Sequence, residues 1–151
     1  MKQTLTVLAI LLSGFATFAQ DAAKGYKVVT VVESIVPGGM GRSRIIENKS
    51  SVNIESATTE RTGGTDSKQN KVKRRDIKVD DLNETKLLNF YSLTGINFQN
   101  IASNDAMIEA KMSELAQDGW KLVFMTSGVE SNGGAQDGEG IFITRMVFSK
   151  S

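Results

Sequence analysis

One amphipathic helix, predicted at residues 104–118, constrains the fold of this chain more than any other feature of its sequence. Ile108, Met112 and Leu115 recur at the i, i+4 and i+7 positions that share one helix face. A helix with one apolar face has to bury that face, and the strand-like segments around it offer a sheet to pack against. The sequence therefore predicts an α+β fold, with a small, mostly antiparallel sheet and one main helix packed across it.

Both ends of this helix carry residues that are typical of helix termini. Ser103 is the predicted N-cap, because its hydroxyl can accept a hydrogen bond from the first turn. Gly119 suits the left-handed conformation just past the last turn, and Trp120 then falls where it can pack back on Leu115. This packing is a sufficient structural explanation for Trp120.

Four segments are predicted as strands from their apolar and β-branched residues. Residues 26–36 are dense in valine, and the turn signal at Pro37 leads into a return strand at 42–54. Together these two strands form a predicted N-terminal hairpin. Two more strands are predicted at 122–126, which is apolar on both faces, and at 141–148.

A polar segment at residues 56–76 separates the hairpin from the helix. It has almost no apolar side chains to offset the entropy of ordering it, so we expect a mobile polar loop. Of the 151 residues, 131 remain after residue 20, and a chain of that length fits one domain. We therefore expect a single α+β domain at residues 21–151.

The first 20 residues have the order of features found in a secretory signal peptide. Lys2 supplies a positive start, residues 5–12 form a nearly unbroken apolar run, and Ala19 is a small residue near a cleavage point. That run is shorter than the roughly 20 residues needed to span a bilayer. Lys2 is the only charge in this segment, so its removal takes the net charge from +1 to 0. We expect an exported, periplasmic or secreted protein with no membrane span.

The stretch around Gly119 and Trp120, at residues 115–123, is similar to part of a known domain family. It resembles a family of small uncharacterised bacterial domains of unknown function, in which a helix ends in a Gly-Trp step and a strand follows. The resemblance covers residues 104–150, where Arg145 is the basic residue of the last strand, and the chain looks like an exported relative. The resemblance implies a fold and carries no activity.

The sequence contains neither histidine nor cysteine. Serine–histidine–aspartate triads, cysteine nucleophiles and imidazole proton shuttles are therefore excluded. Ordinary zinc sites and most haem or iron–sulfur sites also depend on these residue types. Carboxylate chemistry and hard-cation binding by oxygen ligands survive this elimination. Enzyme activity is disfavoured, and we expect no cofactor.

Arg42, Ser43 and Arg44 are the best candidates for contact with a ligand. They follow a glycine-rich turn, whose backbone amides can approach an anion. Arg42 and Arg44 are two residues apart, so on a strand both side chains point to one face and can grip an anionic group. The alternative is a hairpin turn followed by a solvated strand face.

Asp137 and Glu139 are candidate metal ligands in a second glycine-rich loop, at residues 132–140. They do not follow the alternating pattern of calcium-binding loops, and a long polar hairpin connection is the alternative. The basic run at residues 68–78 lacks the interleaved aromatic residues of a single-stranded nucleic-acid site, and acidic residues follow it directly. We therefore expect no nucleic-acid partner.

These observations lead to three hypotheses about function. The first is a non-catalytic binding or interaction module of the bacterial cell envelope, with an unknown envelope ligand or protein as its partner. The second is a carboxylate-dependent hydrolase of an envelope sugar, which would use Asp137 and Glu139. The third is a structural module that self-associates through an exposed strand edge. The absence of histidine and cysteine disfavours the hydrolase and leaves the other two hypotheses open.

Overall fold

A five-stranded antiparallel sheet and one long helix form the frame of the computed structural model, which describes residues 25–35, 42–130 and 140–151. The strands are β1 (Gly25–Ser34), β2 (Arg44–Asn48), β3 (Leu82–Lys86), β4 (Tyr91–Ser92), β5 (Gly95–Ile96), β6 (Lys121–Val129) and β7 (Ile141–Lys150). The main sheet has the order β3-β2-β1-β7-β6, and β4 pairs with β5 in a separate small ribbon. The predicted α+β fold is confirmed. The predicted signal peptide, residues 1–20, lies outside the described ranges.

The centre of the sheet is β1, which pairs with β2 on one side and β7 on the other. Val29 lies opposite Glu47 of β2 and Met146 of β7, and Val31 lies opposite Ile45 of β2. The antiparallel pairing of β1 with β2 confirms the predicted N-terminal hairpin, whose turn lies outside the described residues. Among the residues that the structure describes, no helix has the length and apolar character needed to cross a membrane.

The long helix spans Phe98–Gln117, so it begins about six residues before the predicted start. Asn97 is its N-cap, and its side-chain oxygen accepts hydrogen bonds from the N–H groups of Gln99 (3.0 Å) and Asn100 (3.2 Å). The predicted cap at Ser103 is wrong. Ser103 is the sixth residue of the helix, and its hydroxyl donates a hydrogen bond to the Gln99 carbonyl at 2.7 Å.

The end of the helix has the predicted geometry. Gly119 has a φ of 82°, a left-handed conformation that glycine adopts without a side-chain clash. The Trp120 N–H donates to the Leu115 carbonyl (2.9 Å), and the Gly119 N–H donates to the Ala116 carbonyl (3.0 Å). These two bonds satisfy carbonyls that the last turn would otherwise leave unpaired. Trp120 packs against the core, as predicted.

The core lies between the helix and one face of β1, β2 and β7. Alternate strand residues point to this face, so each strand contributes every second side chain. The buried apolar residues are Val29, Val31, Ile45, Leu87, Leu115, Met146 and Phe148. Ile108 and Met112 of the predicted helix face pack against this cluster.

The prediction that the second strand extends to residue 54 is wrong, because β2 ends at Asn48. The Asn48 side chain accepts a hydrogen bond from the Ser50 N–H at 3.0 Å and donates to the Ser50 carbonyl at 2.7 Å. Such local bonds compete with the strand ladder and turn the chain away. Two short 3₁₀ turns and one short α-helical turn follow, at Ile54–Ala57, Gln69–Lys71 and Arg74–Ile77.

Candidate functional site

The predicted ligand residues Arg42, Ser43 and Arg44 lie at the start of β2, on different sides of the sheet. Ser43 is 1% exposed. Its hydroxyl donates to Asn89 Oδ1 (2.8 Å) and accepts from the Ser34 N–H (2.9 Å). Ser43 therefore ties the segment before β4 to the sheet, and its hydroxyl is engaged inside the protein.

The two arginines remain near the surface. Arg42 is exposed and precedes the first residue of β2. Arg44 is half-buried, and its Nη1 lies 2.7 Å from Glu84 Oε1 of β3, so a carboxylate already balances its charge. The glycine-rich turn that completes the predicted anion site, at residues 36–41, lies outside the described residues. Anion binding by Arg42 and Arg44 stays a prediction.

The second predicted site falls in the other undescribed stretch. Asp137 and Glu139 both lie outside the described residues, so their proposed metal binding also stays a prediction. Within the described ranges, no group of three or more carboxylate side chains is placed to hold a metal ion.

Asn104 is a buried polar residue that the sequence did not indicate as important. It is 1% exposed, and its side-chain amide donates to Glu33 Oε1 (2.9 Å) and to the Leu88 carbonyl (2.7 Å). Its oxygen accepts from the Leu88 N–H (2.8 Å). Burial raises the pKa of the Glu33 carboxyl, the Asn104 hydrogen bond acts in the opposite direction, and the charge of Asp105 raises it further. This cluster joins the helix to β1.

A second buried carboxylate, Glu47, joins the helix to β2 and β1 through ion pairs. Its two oxygens contact the ammonium groups of Lys27 and Lys111, the latter at 3.1 Å. Burial disfavours the charged form of Glu47, but hydrogen bonds from the two lysines outweigh it, so the pKa of Glu47 lies below its ordinary value. The Lys27 ammonium also lies 5.2 Å from the centre of the Trp120 ring, within cation–π range.

The face of the sheet opposite the helix carries apolar rows among polar residues, and no described element covers it. Val28 lies opposite Val147, and Val147 lies opposite Phe124, so an apolar row crosses β1, β7 and β6. Tyr26 and Val28 are 69% and 47% exposed on this side. We call this surface the open face, and its apolar members include Tyr26, Val28, Val32, Ile46, Phe124, Ile141, Ile143 and Val147.

The last strand of the sheet, β6, is exposed on both of its faces. Phe124 on the open face is 60% exposed, and Met125 and Val129 on the helix side are 57% and 58% exposed. The cluster buried under the helix contains residues of β1, β2 and β7 and none of β6. Strands at a sheet edge that carry such side chains without a cover are typical sites of association.

A hollow with a volume of about 430 Å³ lies beside β6. Its lining includes Thr126, Gly128, Glu130, Ile143 and Arg145. A side chain built at Gly128 would meet no atom within 4 Å. The hollow therefore lies next to a strand position that has no side chain and has room for one.

In comparisons with known proteins, no family model, curated protein or solved structure matches the chain. The resemblance of residues 104–150 to small bacterial domains of unknown function stays a prediction.

Sequence reasoning missed the open face and the exposed β6, although it placed the strand itself. A strand that is apolar on both faces is usual at the buried centre of a sheet, and residues 122–126 fit that pattern. Only the strand order shows that β6 is an edge. Gly128 is the one local sign of an interaction site in this strand, because glycine within a strand often marks a place where a ligand or another backbone approaches closely.

Proposed function

We propose that this protein is an exported, non-catalytic interaction module of the bacterial cell envelope, and that it binds a partner across the open face. The observation that carries the proposal is the exposed apolar row formed by Val28, Val147 and Phe124. Contiguous apolar surface of this kind on a protein usually marks a site of protein or ligand interaction.

The two buried carboxylates of the described residues support a non-catalytic role. Glu33 is bonded to Asn104, and Glu47 is bonded to Lys27 and Lys111. Both lie on the helix side of the sheet, inside the packing between helix and strands. Their environments have a structural explanation, which favours binding over carboxylate chemistry for this part of the chain.

The open face also has the chemistry of a binding surface. Two apolar rows, Val28 with Val147 and Val32 with Ile143, flank a polar row in which Arg145 lies between Thr30 and Thr126. Interfaces bring apolar and aromatic residues together with polar groups and arginine. A partner that fits this face presents apolar groups on both sides of an acidic or hydroxyl group that meets Arg145.

Site-specific photo-crosslinking in an exporting bacterium tests the proposal. A photoreactive residue at position 28 should give a discrete adduct with an envelope component, since Val28 lies in the middle of the open face. The matched control is the same residue at position 110, because Ala110 is exposed on the helix. Equal labelling from both positions, or none from position 28, would contradict the proposal.

A further inference from the structure

The outer edge of β6 is suited to pairing with another strand. Among residues 25–35, 42–130 and 140–151, β6 is hydrogen-bonded to β7 on one side only and is the last strand of the sheet. Natural edge strands usually carry charges or proline that prevent further pairing. Residues 122–129 contain neither, and the charged residues Lys121 and Glu130 stand only at the two ends. The edge therefore lacks charged residues and proline between its two ends, and its one bulge lies near the start of the strand, between Leu122 and Phe124.

We propose that β6 pairs with β6 of a second copy of this chain, antiparallel and about a two-fold axis through Thr126, so that one continuous sheet runs through both copies. This inference concerns the edge of β6, which shares Phe124 with the open face, and it names a partner for that edge; it therefore goes beyond the proposed function and is tested separately from it. Closed two-fold dimers are the commonest assemblies of identical chains.

The faces of β6 restrict the register to axes that pass through a residue. Residues opposite each other in an antiparallel pair point to the same face, so the axis has to place like faces together. A bulge between Leu122 and Phe124 takes up one extra residue, which brings Lys121 onto the same face as Phe124, Thr126 and Glu130. Leu122 and Val123 at the bulge count as one position. With a two-fold axis through Thr126, residues that lie opposite each other then point to the same face along all of β6.

Charge complementarity at the two ends selects this register. With the axis through Thr126, Lys121 of one copy lies opposite Glu130 of the other, and the symmetry repeats this contact at the far end. Both side chains are exposed and free to reach across. With the axis moved to Met125, Lys121 would lie opposite Gly128 instead, and both contacts would be lost. Opposite charges in register favour one pairing over its neighbours.

The hollow at Gly128 supports the same register independently of the charges. With the axis through Thr126, Phe124 of one copy lies opposite Gly128 of the other, on the open face. An aromatic side chain packed over a glycine of the neighbouring strand is a known way of stabilising a sheet. Phe124 is 60% exposed in the single chain, and the hollow of about 430 Å³ beside Gly128 is large enough for its ring.

The remaining positions are compatible with each other. Thr126 lies opposite its own copy, and threonine pairs are favourable across antiparallel strands. Leu122 lies opposite Val129 on the helix side, where both are exposed in the single chain. No like charges meet anywhere along the strand in this register.

A charge-swap series measured by sedimentation equilibrium tests this proposal. The protein is expressed from the full-length chain and measured in a series that reaches about 1 mM, which reveals even a weak pairing. We expect a concentration-dependent dimer. Lys121→Glu and Glu130→Lys should each weaken it about tenfold or more, because each places like charges opposite each other at both ends. The double variant should restore it.

Two further variants show which edge strand of the sheet, β6 or β3, forms the dimer. Thr126→Lys places two ammonium groups opposite each other at the axis and should abolish the dimer. Asn83→Lys, at an exposed position of the opposite edge strand β3, should leave it intact. A wild-type protein that stays monomeric up to about 1 mM overturns the proposal, and so does a double swap that is no better than the single variants. Loss of the dimer in Asn83→Lys would also overturn it, by assigning the contact to β3.

Discussion

The covered part of the sheet and the exposed strand β6 are built from similar residues but differ in what those residues do. Val29 and Met146, under the helix, are 0% and 1% exposed, whereas Met125 of β6 is 57% exposed. Burial of apolar surface in the covered part stabilises the fold by about 25 cal/mol per Å². The same kind of surface on β6 contributes little to folding, because it stays in water. Apolar composition therefore indicates stability in one region and association in the other.

The largest expected contrast comes from truncating one apolar side chain in each region. Leu115→Ala removes a side chain that is 1% exposed at the helix–sheet contact, and should lower the free energy of unfolding by about 2–5 kcal/mol. Phe124→Ala on β6 should change it by only about 0.5 kcal/mol or less, as exposed positions do. Urea unfolding of both variants measures this. A large loss in Phe124→Ala would show that β6 is part of the core and would remove the distinction.

The buried polar contact between helix and sheet should give the next largest effect. Asn104→Ala leaves the backbone groups of Leu88 and the Glu33 carboxyl without their partner. An unpaired buried group costs about 1–3 kcal/mol. The control is Asn83→Ala, because Asn83 is exposed on β3. If the two variants unfold at the same urea concentration, Asn104 does not hold the helix to the sheet.

Two glycines sharpen the comparison at the level of the backbone. Gly119 has a positive φ of 82°, so Gly119→Ala should destabilise the protein by about 1 kcal/mol. Gly128 has open space where a side chain would lie, so Gly128→Ala should be nearly neutral for folding. Thermal unfolding of the two variants distinguishes them, and a destabilised Gly128→Ala protein would be inconsistent with an open hollow on β6.

The smallest expected effect is a pH dependence that comes from Glu47 in the covered part. The pKa of Glu47 in the folded protein lies below its ordinary value of 4.5. Its contribution to stability is therefore present above pH 4.5 and is lost as the pH falls through the lower, folded value. Glu47→Gln should be less stable than the wild type at neutral pH, and the gap should close below pH 4.5.

The control for this titration is Glu84→Gln. Glu84 forms an ion pair with Arg44 at the surface, where its side chain is 47% exposed, and such pairs contribute little. The raised pKa of Glu33 acts in the opposite sense, since that group favours the folded state at low pH, but it does so equally in all three proteins. A gap for Glu47→Gln that is constant with pH would contradict the ion-pair assignment.

The fold class and the end of the helix could be predicted from the sequence because their signals are local. Gly119 and Trp120 define the helix end by backbone conformation and one close contact. The helix start was missed, because Asn97 caps a first turn that begins with Phe98, a residue 73% exposed, outside the apolar periodicity. The end of β2 was missed because two side-chain bonds of Asn48 decide it.

The candidate surface could not be predicted, because it depends on which strands are neighbours. Residues 122–126 have the same apolar pattern in the centre of a sheet as at its edge. The position of β6 is set by the long pairing of β1 with β7, from Gly25 opposite Lys150 to Ser34 opposite Ile141. Of the predicted ligand residues, the structure brings Arg44 to Glu84 and places Ser43 inside, while Asp137 and Glu139 fall outside the described residues.

Oxidative cross-linking through a single cysteine at position 126 tests the central claim most directly. The chain has no cysteine of its own, so Thr126→Cys gives one possible disulfide, between two copies. Opposed residues in an antiparallel pair have Cα atoms about 4.5–5.5 Å apart, a distance that a disulfide can bridge. We predict a covalent dimer from Thr126→Cys and none from Asn83→Cys on β3. Equal cross-linking of both variants, or a Thr126→Cys protein that stays monomeric while its thiol is reactive, would contradict the assignment of β6 as the association edge.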